Sequence, residues 1–582
     1  MSAAAATRRS RGTPELLPGL LAAIAIGASG LVLLFGGTVL WLSFVVGVPG
    51  DPAATFSLAN YAALALERFS WVVLGNTLIF ACISLAIALS IGLALAFLCE
   101  RTDLPGKPLV FTLLSVSLIL PNFAVALGWV FLLNPQVGIL NVGLAHLLGL
   151  QRPPFNIASL PGMGFVEGLN LVPVAFVMAA AAFKSMDPAL EEAAATSAAS
   201  AFTTFRRVTL PVLAPAILGT MIYIFILGFT AFDVPAVIGL SRRIFTFSTY
   251  IYSALDQAVD TPKYGFVAAM SVVLIGFGIG LGWYYNRIQR QSRKYAIVSG
   301  KAFRPRILPL GRARAPAIAL VVAYFSAAQL LPLLVLVWAA GLPFLQMPSA
   351  EAFAQLSLDN LWRVLDLRFA HALGNTAILM LLVPTITVLV SLAISWVVLR
   401  SRLPFRTLFD FFAFMPHTIP SVVFSVAALF VALFVLQGIV PIYGTIWLLV
   451  LVYAVSRLGY GTRMTNAALV QIHRELEEAG STSGAGFARI LRAILLPLLL
   501  PTLLYSWIWI ALLSYRELTL PILLAGRDNL PLSVVVWAYL QTSSFGPASA
   551  ITLVMLVLLS PMIALYWIAA RHAGILASEA RR

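Results

Sequence analysis

Long apolar stretches recur from one end of this 582-residue chain to the other, and most could cross a bilayer as a helix. Such a helix needs about 20 residues to span a hydrocarbon core roughly 30 Å thick. Hydrophobic residues make up 61% of the chain and charged residues 10%, which excludes a soluble multidomain protein. The stretches lie near residues 17–47, 71–99, 109–133, 168–184, 209–232, 264–286, 315–341, 372–399, 409–436, 443–463, 494–525 and 548–570. We therefore expect an all-α membrane protein with twelve transmembrane helices.

The charges predict how these helices are oriented. The chain carries 37 Lys and Arg against 22 Asp and Glu, a net charge of +15. In a soluble protein this excess would indicate nucleic-acid binding, but in a membrane protein basic residues collect in cytoplasmic loops. The segment from Arg287 to Arg314 is basic and contains no acidic residue, so it is predicted to be a cytoplasmic linker. Arg457 and Arg463 fall on the same side in this topology, and both termini are then cytoplasmic, with the apolar run after Arg11 retained as the first span.

The two halves of the sequence are copies of one another. Gly75-Asn76-Thr77 recurs as Gly374-Asn375-Thr376, 299 residues later, and Leu210-Pro211 recurs as Leu496-Pro497, 286 residues later. The smaller separation reflects a shorter external loop in the second copy. Because each copy has an even number of spans, both copies cross the membrane in the same direction. We expect two parallel six-helix repeats related by a pseudo-twofold axis along the membrane normal.

This repeat predicts the domain boundaries. The first repeat covers residues 1–290, the linker covers 291–314 and the second repeat covers 315–582. Polar groups are tolerated at membrane depth where protein or water faces them, so a pathway is expected where the two copies meet.

The cytoplasmic loop between the fourth and fifth spans, at about 187–211, has a copy between the tenth and eleventh spans, at about 473–497. In the first loop Asp187 is a candidate N-cap, Pro188 suits the first helical position, and the acidic residues that follow complement the positive end of a helix. The candidate functional residues in these two loops are Glu191, Glu192, Ala193, Ala194, Ala198, Leu210 and Pro211, and Glu477, Glu478, Ala479, Gly480, Gly484, Leu496 and Pro497.

These loops resemble the signature of the inner-membrane permeases of binding-protein-dependent ABC importers, the MetI-like family. That signature reads Glu-Ala-Ala, three residues, Gly, nine residues and Ile-x-Leu-Pro. The second loop matches it with Gly480 at the third position, and the first loop has Ala198 in place of the Gly and Val208 in place of the Ile. The fused layout resembles the ferric-iron-type branch, and the further segments that carry this likeness are Arg101-Thr102-Asp103-Leu104-Pro105-Gly106, Ser185-Met186-Asp187-Pro188, Ser299-Gly300-Lys301 and Arg516-Glu517-Leu518.

The resemblance implies a type I ABC importer permease in a bacterial inner membrane. Each loop would form a coupling helix that docks on one subunit of a homodimeric cytoplasmic ATPase, and a periplasmic binding protein would deliver the solute. No Gly-x-x-x-x-Gly-Lys-[Ser/Thr] motif occurs in this chain, so ATP hydrolysis is expected on a separate subunit. Glu192 and Glu478 are the predicted anchors of the ATPase contact, although they could also be simple helix-start charges. Ferric iron is the expected solute, with 2-aminoethylphosphonate, thiamine and polyamines as alternatives.

Ionisable residues near the outer ends of the fifth and eleventh spans are candidates for the translocation pathway. Asp233 directly follows the fifth span, and Arg516 and Glu517 lie in the outer half of the eleventh. An ion pair between Arg516 and Glu517 that only holds helices together is an equally good interpretation. Asn76 and Asn375 begin equivalent spans, where interhelical hydrogen bonding or capping is favoured over a pathway role. Pro121 and Pro420 are expected to bend their helices.

The sequence predicts no metal site, cofactor or catalytic centre. Its five histidines are scattered, without the spacing of a metal-ligand set. Cys82 and Cys99 lie in one apolar run and are interpreted as small core residues. A secondary transporter that works without ATP is the alternative class, and the parallel duplication together with the paired cytoplasmic loops argues against it.

Overall fold

The computed structural model describes residues 16–186, 189–197, 200–255, 263–292 and 307–572, and most of these residues are helical. The α-helices of the first repeat are α1 Leu16–Ser43, α2 Ala59–Leu66, α3 Arg68–Arg101, α4 Lys107–Ile119, α5 Asn122–Leu132, α6 Ile139–Leu147, α7 Leu160–Ser185, α8 Ala189–Thr196, α9 Ala201–Thr204, α10 Leu210–Thr230, α11 Phe247–Leu255 and α12 Tyr264–Ser292. Two short antiparallel strands, β1 Val45–Val46 and β2 Thr55–Phe56, follow α1.

The second repeat has the same plan. Its α-helices are α13 Arg314–Phe325, α14 Leu331–Ala340, α15 Ala350–Ala354, α16 Asp359–Val364, α17 Leu367–Arg400, α18 Arg406–Thr418, α19 Ser421–Phe430, α20 Ile446–Ser456, α21 Leu458–Gln471, α22 Arg474–Thr482, α23 Phe487–Ile490, α24 Leu496–Tyr515, α25 Pro521–Leu524, α26 Leu532–Gln541 and α27 Phe545–His572. The expected all-α membrane class is confirmed.

Within the described ranges, nine helical segments are long and apolar enough to cross a membrane, and there are eleven if each of two bent helix pairs is one span. The predicted tenth span, 443–463, is instead two helices, α20 and α21, separated by Arg457. The count of twelve spans therefore stays a prediction.

The two bends lie where Pro121 and Pro420 were expected to kink their helices. Helices α4 and α5 meet at 96°, and α18 meets the segment that begins at Ser421 at 106°. Each proline occupies the residue just before the second helix of its pair. The prediction of kinks at these prolines is confirmed.

Three other prolines lie two residues after a π-helical segment. Pro211 follows the segment Phe205–Thr209 and Pro497 follows Leu491–Leu495, at equivalent positions of the two repeats. Pro332 follows Ser326–Leu330. A proline ring clashes with the carbonyl four residues earlier in a regular helix, and a π-bulge widens the helix at that point.

The first span of each repeat packs on the other repeat, and in the second repeat this span is Gly311–Ala340, which contains α13 and α14. Helix α1 lies against α17, α18 and α19 as well as against α12 of its own repeat, and α14 lies against α5 as well as against α27. The rings of Phe35 and Phe424 meet edge to face with centroids 5.2 Å apart. The indole Nε1 of Trp129 in α5 donates to the carbonyl of Ala327 at 3.1 Å. The two repeats are thus interlocked.

Candidate functional site

In the loop between α7 and α10, the first of two adjacent glutamates points into the protein. Glu191 lies in the first turn of α8 and is buried. Its Oε1 accepts a hydrogen bond from Thr209 Oγ1 at 2.8 Å, and its Oε2 lies 3.4 Å from Nη1 of Arg101. Arg101 is the last residue of α3, is 1% exposed, and also donates to the carbonyl of Phe183 at 3.1 Å. The loop helix is thereby attached to the end of a 34-residue helix.

The second repeat has the same attachment at the equivalent residues. Arg400 ends α17, which also has 34 residues, and its Nε donates to Oε1 of Glu477 at 2.6 Å. Its Nη2 donates to the carbonyls of Leu469 at 3.1 Å and Ile472 at 2.7 Å. Arginine suits this position because its planar guanidinium can serve several acceptors at once. The duplicated ion pairs, Arg101–Glu191 and Arg400–Glu477, are called the loop tethers below.

The second glutamate of each loop points away from the protein. Glu192 and Glu478 are exposed, as are Ala193 and Ala479 next to them, and Ala194 is half-buried. Successive helical residues are rotated by about 100°, so one glutamate can be tethered while its neighbour faces outward.

The other predicted loop residues shape the path back to the membrane. Gly480 packs against Ile490, whose side chain would lie 3.0 Å from an added Cβ. Gly484 follows α22 with φ +78°, a left-handed conformation that glycine adopts without strain. Leu210 and Leu496 begin α10 and α24, and Pro211 and Pro497 occupy their first turns. Asp187, Pro188 and Ala198 lie outside the described residues.

Asp233, Arg516 and Glu517 lie in one group of polar residues between the repeats. Thr519 Oγ1 donates to Asp233 Oδ1 at 2.9 Å. Arg516 and Glu517 do not pair with each other among the described contacts: Glu517 forms an ion pair with Arg457, and its Oε1 accepts from the backbone N–H of Leu520 at 3.2 Å. The ion pair considered for Arg516 and Glu517 is therefore replaced by one between Glu517 and Arg457.

Arg516 reaches the first repeat. Its Nη1 donates to the carbonyls of Leu118 at 2.6 Å and Leu120 at 3.3 Å, at the bend between α4 and α5. A bend interrupts the regular helical hydrogen bonds and leaves carbonyls to be satisfied by other donors. The guanidinium of Arg516 in the second repeat thus satisfies backbone carbonyls at the bend of the first repeat.

Sequence reasoning missed four members of this group: Glu167, Tyr453, Arg457 and Thr519. The topology put Arg457 in a cytoplasmic loop, whereas it lies with its side chain 11% exposed beside Glu517. Glu167 is 3% exposed and interacts electrostatically with Asp233 and Arg516, and Tyr453 is fully buried. The repeat could have identified Thr519, because it follows Asp233 by 286 residues, and the same separation relates the missed Tyr453 to the missed Glu167.

Asn76 and Asn375 make equivalent backbone contacts. Asn76 Nδ2 donates to the carbonyl of Phe245 at 3.1 Å, and Asn375 Nδ2 donates to those of Asp528 at 3.1 Å and Leu530 at 3.2 Å. These contacts hold the chain that precedes α11 and α26, whereas a pathway role for the two asparagines stays a prediction.

The threonines next to these asparagines cap the same two helices. Thr77 Oγ1 accepts from the N–H of Phe247 at 2.8 Å, and Thr376 Oγ1 accepts from that of Leu532 at 3.0 Å. Phe247 and Leu532 are the first residues of α11 and α26, whose N–H groups have no partner within their own helices.

Among the described residues, no group of three or more His, Cys, Asp or Glu side chains is placed to hold a metal ion.

Comparison with known proteins identifies the family. The binding-protein-dependent transport system inner membrane component family matches residues 88–294 and again residues 388–573. The chain is 23% identical to the Fe(3+)-transport system permease protein FbpB 2 of Haemophilus influenzae, over 84% of this chain and 87% of that protein. It is 24% identical to the ferric transport system permease protein FbpB of Actinobacillus pleuropneumoniae, over 84% of this chain and 69% of that one. The trehalose transport system permease protein SugA of Mycobacterium tuberculosis is 28% identical over 41% of this chain and 77% of its own length. With the family's domain present twice, the chain belongs to the inner membrane components of binding-protein-dependent transport systems and is a fused ABC-type permease.

Proposed function

We propose that this chain forms the whole transmembrane pathway of an ATP-driven importer in a bacterial inner membrane. The observation that carries the proposal is the duplicated family domain, with one exposed glutamate, Glu192 or Glu478, on the loop helix of each repeat. The two loop helices dock on a homodimer of cytoplasmic ATPase subunits, and a periplasmic binding protein delivers the solute. ATP hydrolysis takes place on the ATPase, and this chain needs no cofactor.

A continuous set of contacts in each repeat supports coupling between the loop helix and the space between the repeats. In the first repeat the tether joins α8 to the end of α3, and Thr77 near the start of α3 caps α11. Ser248 of α11 donates in turn to the carbonyl of Ala231 at 2.6 Å, two residues before Asp233. A displacement of the loop helix can therefore be passed along one long helix.

The second repeat has the corresponding set. The tether joins α22 to the end of α17, Thr376 caps α26, and Ser533 of α26 donates to the carbonyl of Glu517 at 2.6 Å. Glu517 lies two residues before Thr519, as Ala231 lies two residues before Asp233. When the ATPase subunits close around ATP, both sets would tilt the repeats from an inward-facing to an outward-facing arrangement.

Ferric iron is the solute that we propose. Two relatives aligned over more than two thirds of both chains are ferric-transport permeases, and the trehalose permease matches less than half of this chain. In the proposed mechanism the binding protein sets most of the selectivity. 2-Aminoethylphosphonate, thiamine and polyamines are the alternative solutes for the same mechanism.

Purification of the tagged chain, with the genes for candidate ATPase and binding-protein partners co-expressed, tests the proposal. We expect an ATPase to co-purify with two subunits per chain, and its ATP hydrolysis in proteoliposomes to be stimulated by the loaded binding protein. Uptake of the iron isotope ⁵⁵Fe(III) should then require both ATP and the binding protein. Uptake that follows an ion gradient without an ATPase would favour a secondary transporter and contradict the proposal.

A further inference from the structure

Two equivalent residues, one from each repeat, contact each other directly. Asp233 and Thr519 are separated by 286 residues, the same separation that relates Leu210-Pro211 to Leu496-Pro497. The alignment holds locally, because Pro235 and Pro521 follow them two residues later in both repeats. Their side chains are hydrogen-bonded at 2.9 Å.

A contact between equivalent residues locates the axis that relates the repeats. In a twofold arrangement, residue i of one copy contacts residue j of the other and the reverse, and only a residue near the axis can contact its own equivalent. The Asp233–Thr519 hydrogen bond therefore lies on the pseudo-twofold axis. A pathway shared by two parallel repeats runs along that axis.

The side chains around this contact form a polar group inside an apolar shell. Asp233, Arg516 and Glu517 are partly exposed, whereas Phe232 and Leu518 beside them are at most 3% exposed. Polar side chains at such a depth face other protein groups or a water-filled space, not lipid. The accessible parts of these residues thus face the space between the repeats.

The charges around the axis come unequally from the two repeats. Arg516 and Glu517 replace Thr230 and Ala231 of the first repeat, and Asp233 is matched by the neutral Thr519. The hydrogen bonds of Arg516 to Leu118 and Leu120 are a second link across the repeats, beside the axial one. Both links must break if the repeats separate on this side.

We propose that Asp233 and Thr519 form the closure of the translocation pathway, with Arg516 locking it onto the α4–α5 bend. This inference rests on the proposed function and goes beyond it by naming the residues that close the pathway. In the predicted topology α10 and α24 run outward from the cytoplasmic loops, so the closure lies toward the outer side. It is shut in the inward-facing arrangement and opens when ATP draws the loop helices together.

Disulfide cross-linking in the complete complex tests this closure. Cys82→Ser and Cys99→Ala first remove the native cysteines, and Asp233→Cys and Thr519→Cys are then introduced. A protease site is inserted in the linker at 293–306. After cleavage at this site, only a disulfide keeps the two repeats together on a non-reducing gel. We expect efficient cross-linking without nucleotide and at least a fivefold lower yield in the complex trapped with ATP and vanadate. Oxidation should also abolish binding-protein-stimulated ATP hydrolysis, and a reductant should restore it.

The matched control is Phe35→Cys with Phe424→Cys. This pair also joins the two repeats, but α1 packs on α17, α18 and α19 together and is expected to move with them, so its cross-linking should be equal in both states. The inference is overturned if the axial pair cross-links equally in both states, or fails to cross-link while the control pair does. A complex in which the binding protein does not stimulate ATP hydrolysis would instead refute the proposed function, which keeps the two failures distinct.

Discussion

Two adjacent glutamates in each loop have opposite surroundings. Glu191 and Glu477 are held by arginines from a long helix, while Glu192 and Glu478 face outward. A carboxylate held within the protein sets the position of its helix, whereas an exposed one is available to a partner. The two acidic residues of each loop thus have different surroundings and are expected to serve different tasks, although the sequence alone presents them as one pair.

Charge reversal at the exposed glutamate should uncouple the ATPase. We expect Glu478→Lys to weaken docking on the ATPase about tenfold, or roughly 1.4 kcal/mol, because the altered side chain would repel a cationic partner, and to lower binding-protein-stimulated ATP hydrolysis accordingly. Glu475→Lys, on the same helix and also exposed, is the control and should retain most of the activity. Full stimulated hydrolysis by Glu478→Lys would disprove the anchoring role.

Removal of a tethering arginine should destabilise the loop itself. Arg400→Met leaves Glu477 and two backbone carbonyls without their donor. Breaking a buried ion pair costs about 3–5 kcal/mol, and the partial exposure of Glu477 reduces this to about 2–4 kcal/mol. We expect a lower thermal unfolding midpoint in detergent and weaker ATPase stimulation, with much of the midpoint recovered in Arg400→Met/Glu477→Gln. The exposed Arg402→Met is the control, and an equal effect there would rule out a specific tether.

At the scale of elements, local sequence patterns predicted the structural features that depend on short stretches of sequence. The all-α class, the bends at Pro121 and Pro420, and the start of α10 and α24 at Leu-Pro follow from hydrophobicity and from proline geometry. The ion pair between Arg457 and Glu517 joins residues 60 positions apart, and no local pattern encodes such a partner. A topology based on basic residues treats every arginine as a surface charge, which is why it misplaced Arg457.

The close approach of α5 and α14 depends on the absence of a side chain at Gly128. A Cβ at this position would lie 2.6 Å from Cα of Pro332 in the other repeat. Overpacking of this kind costs about 1–3 kcal/mol, so Gly128→Val should lower the thermal unfolding midpoint. Gly27→Val, where an added Cβ meets no atom within 4 Å in α1, is the control. Equal midpoints for the two variants would mean that the contact does not stabilise the interface.

At the scale of the whole molecule, exchange of first helices makes the two repeats one unit. Helix α1 of the first repeat covers α17–α19, and the segment before α14 reaches back to the first repeat. There, Gln329 Nε2 donates to the carbonyl of Leu113 at 2.8 Å and also to Ser117 Oγ. In the proposed mechanism, movement of the repeats is therefore expected to leave these exchanged helices on the repeat that they cover.

This interlocking predicts that the covalent linker is dispensable for assembly. When a protease site in the linker is cut, we expect both repeats to remain together through detergent purification, because van der Waals packing and interhelical hydrogen bonds associate helices in membranes. Deletion of residues 1–56 removes α1 and should reduce recovery of the first repeat on a tag carried by the second by more than half. Truncation of the C-terminal residues 573–582, which leaves α1 intact, is the control. Dissociation of the cut but otherwise complete chain would show that the linker, and not the exchanged helices, holds the repeats together.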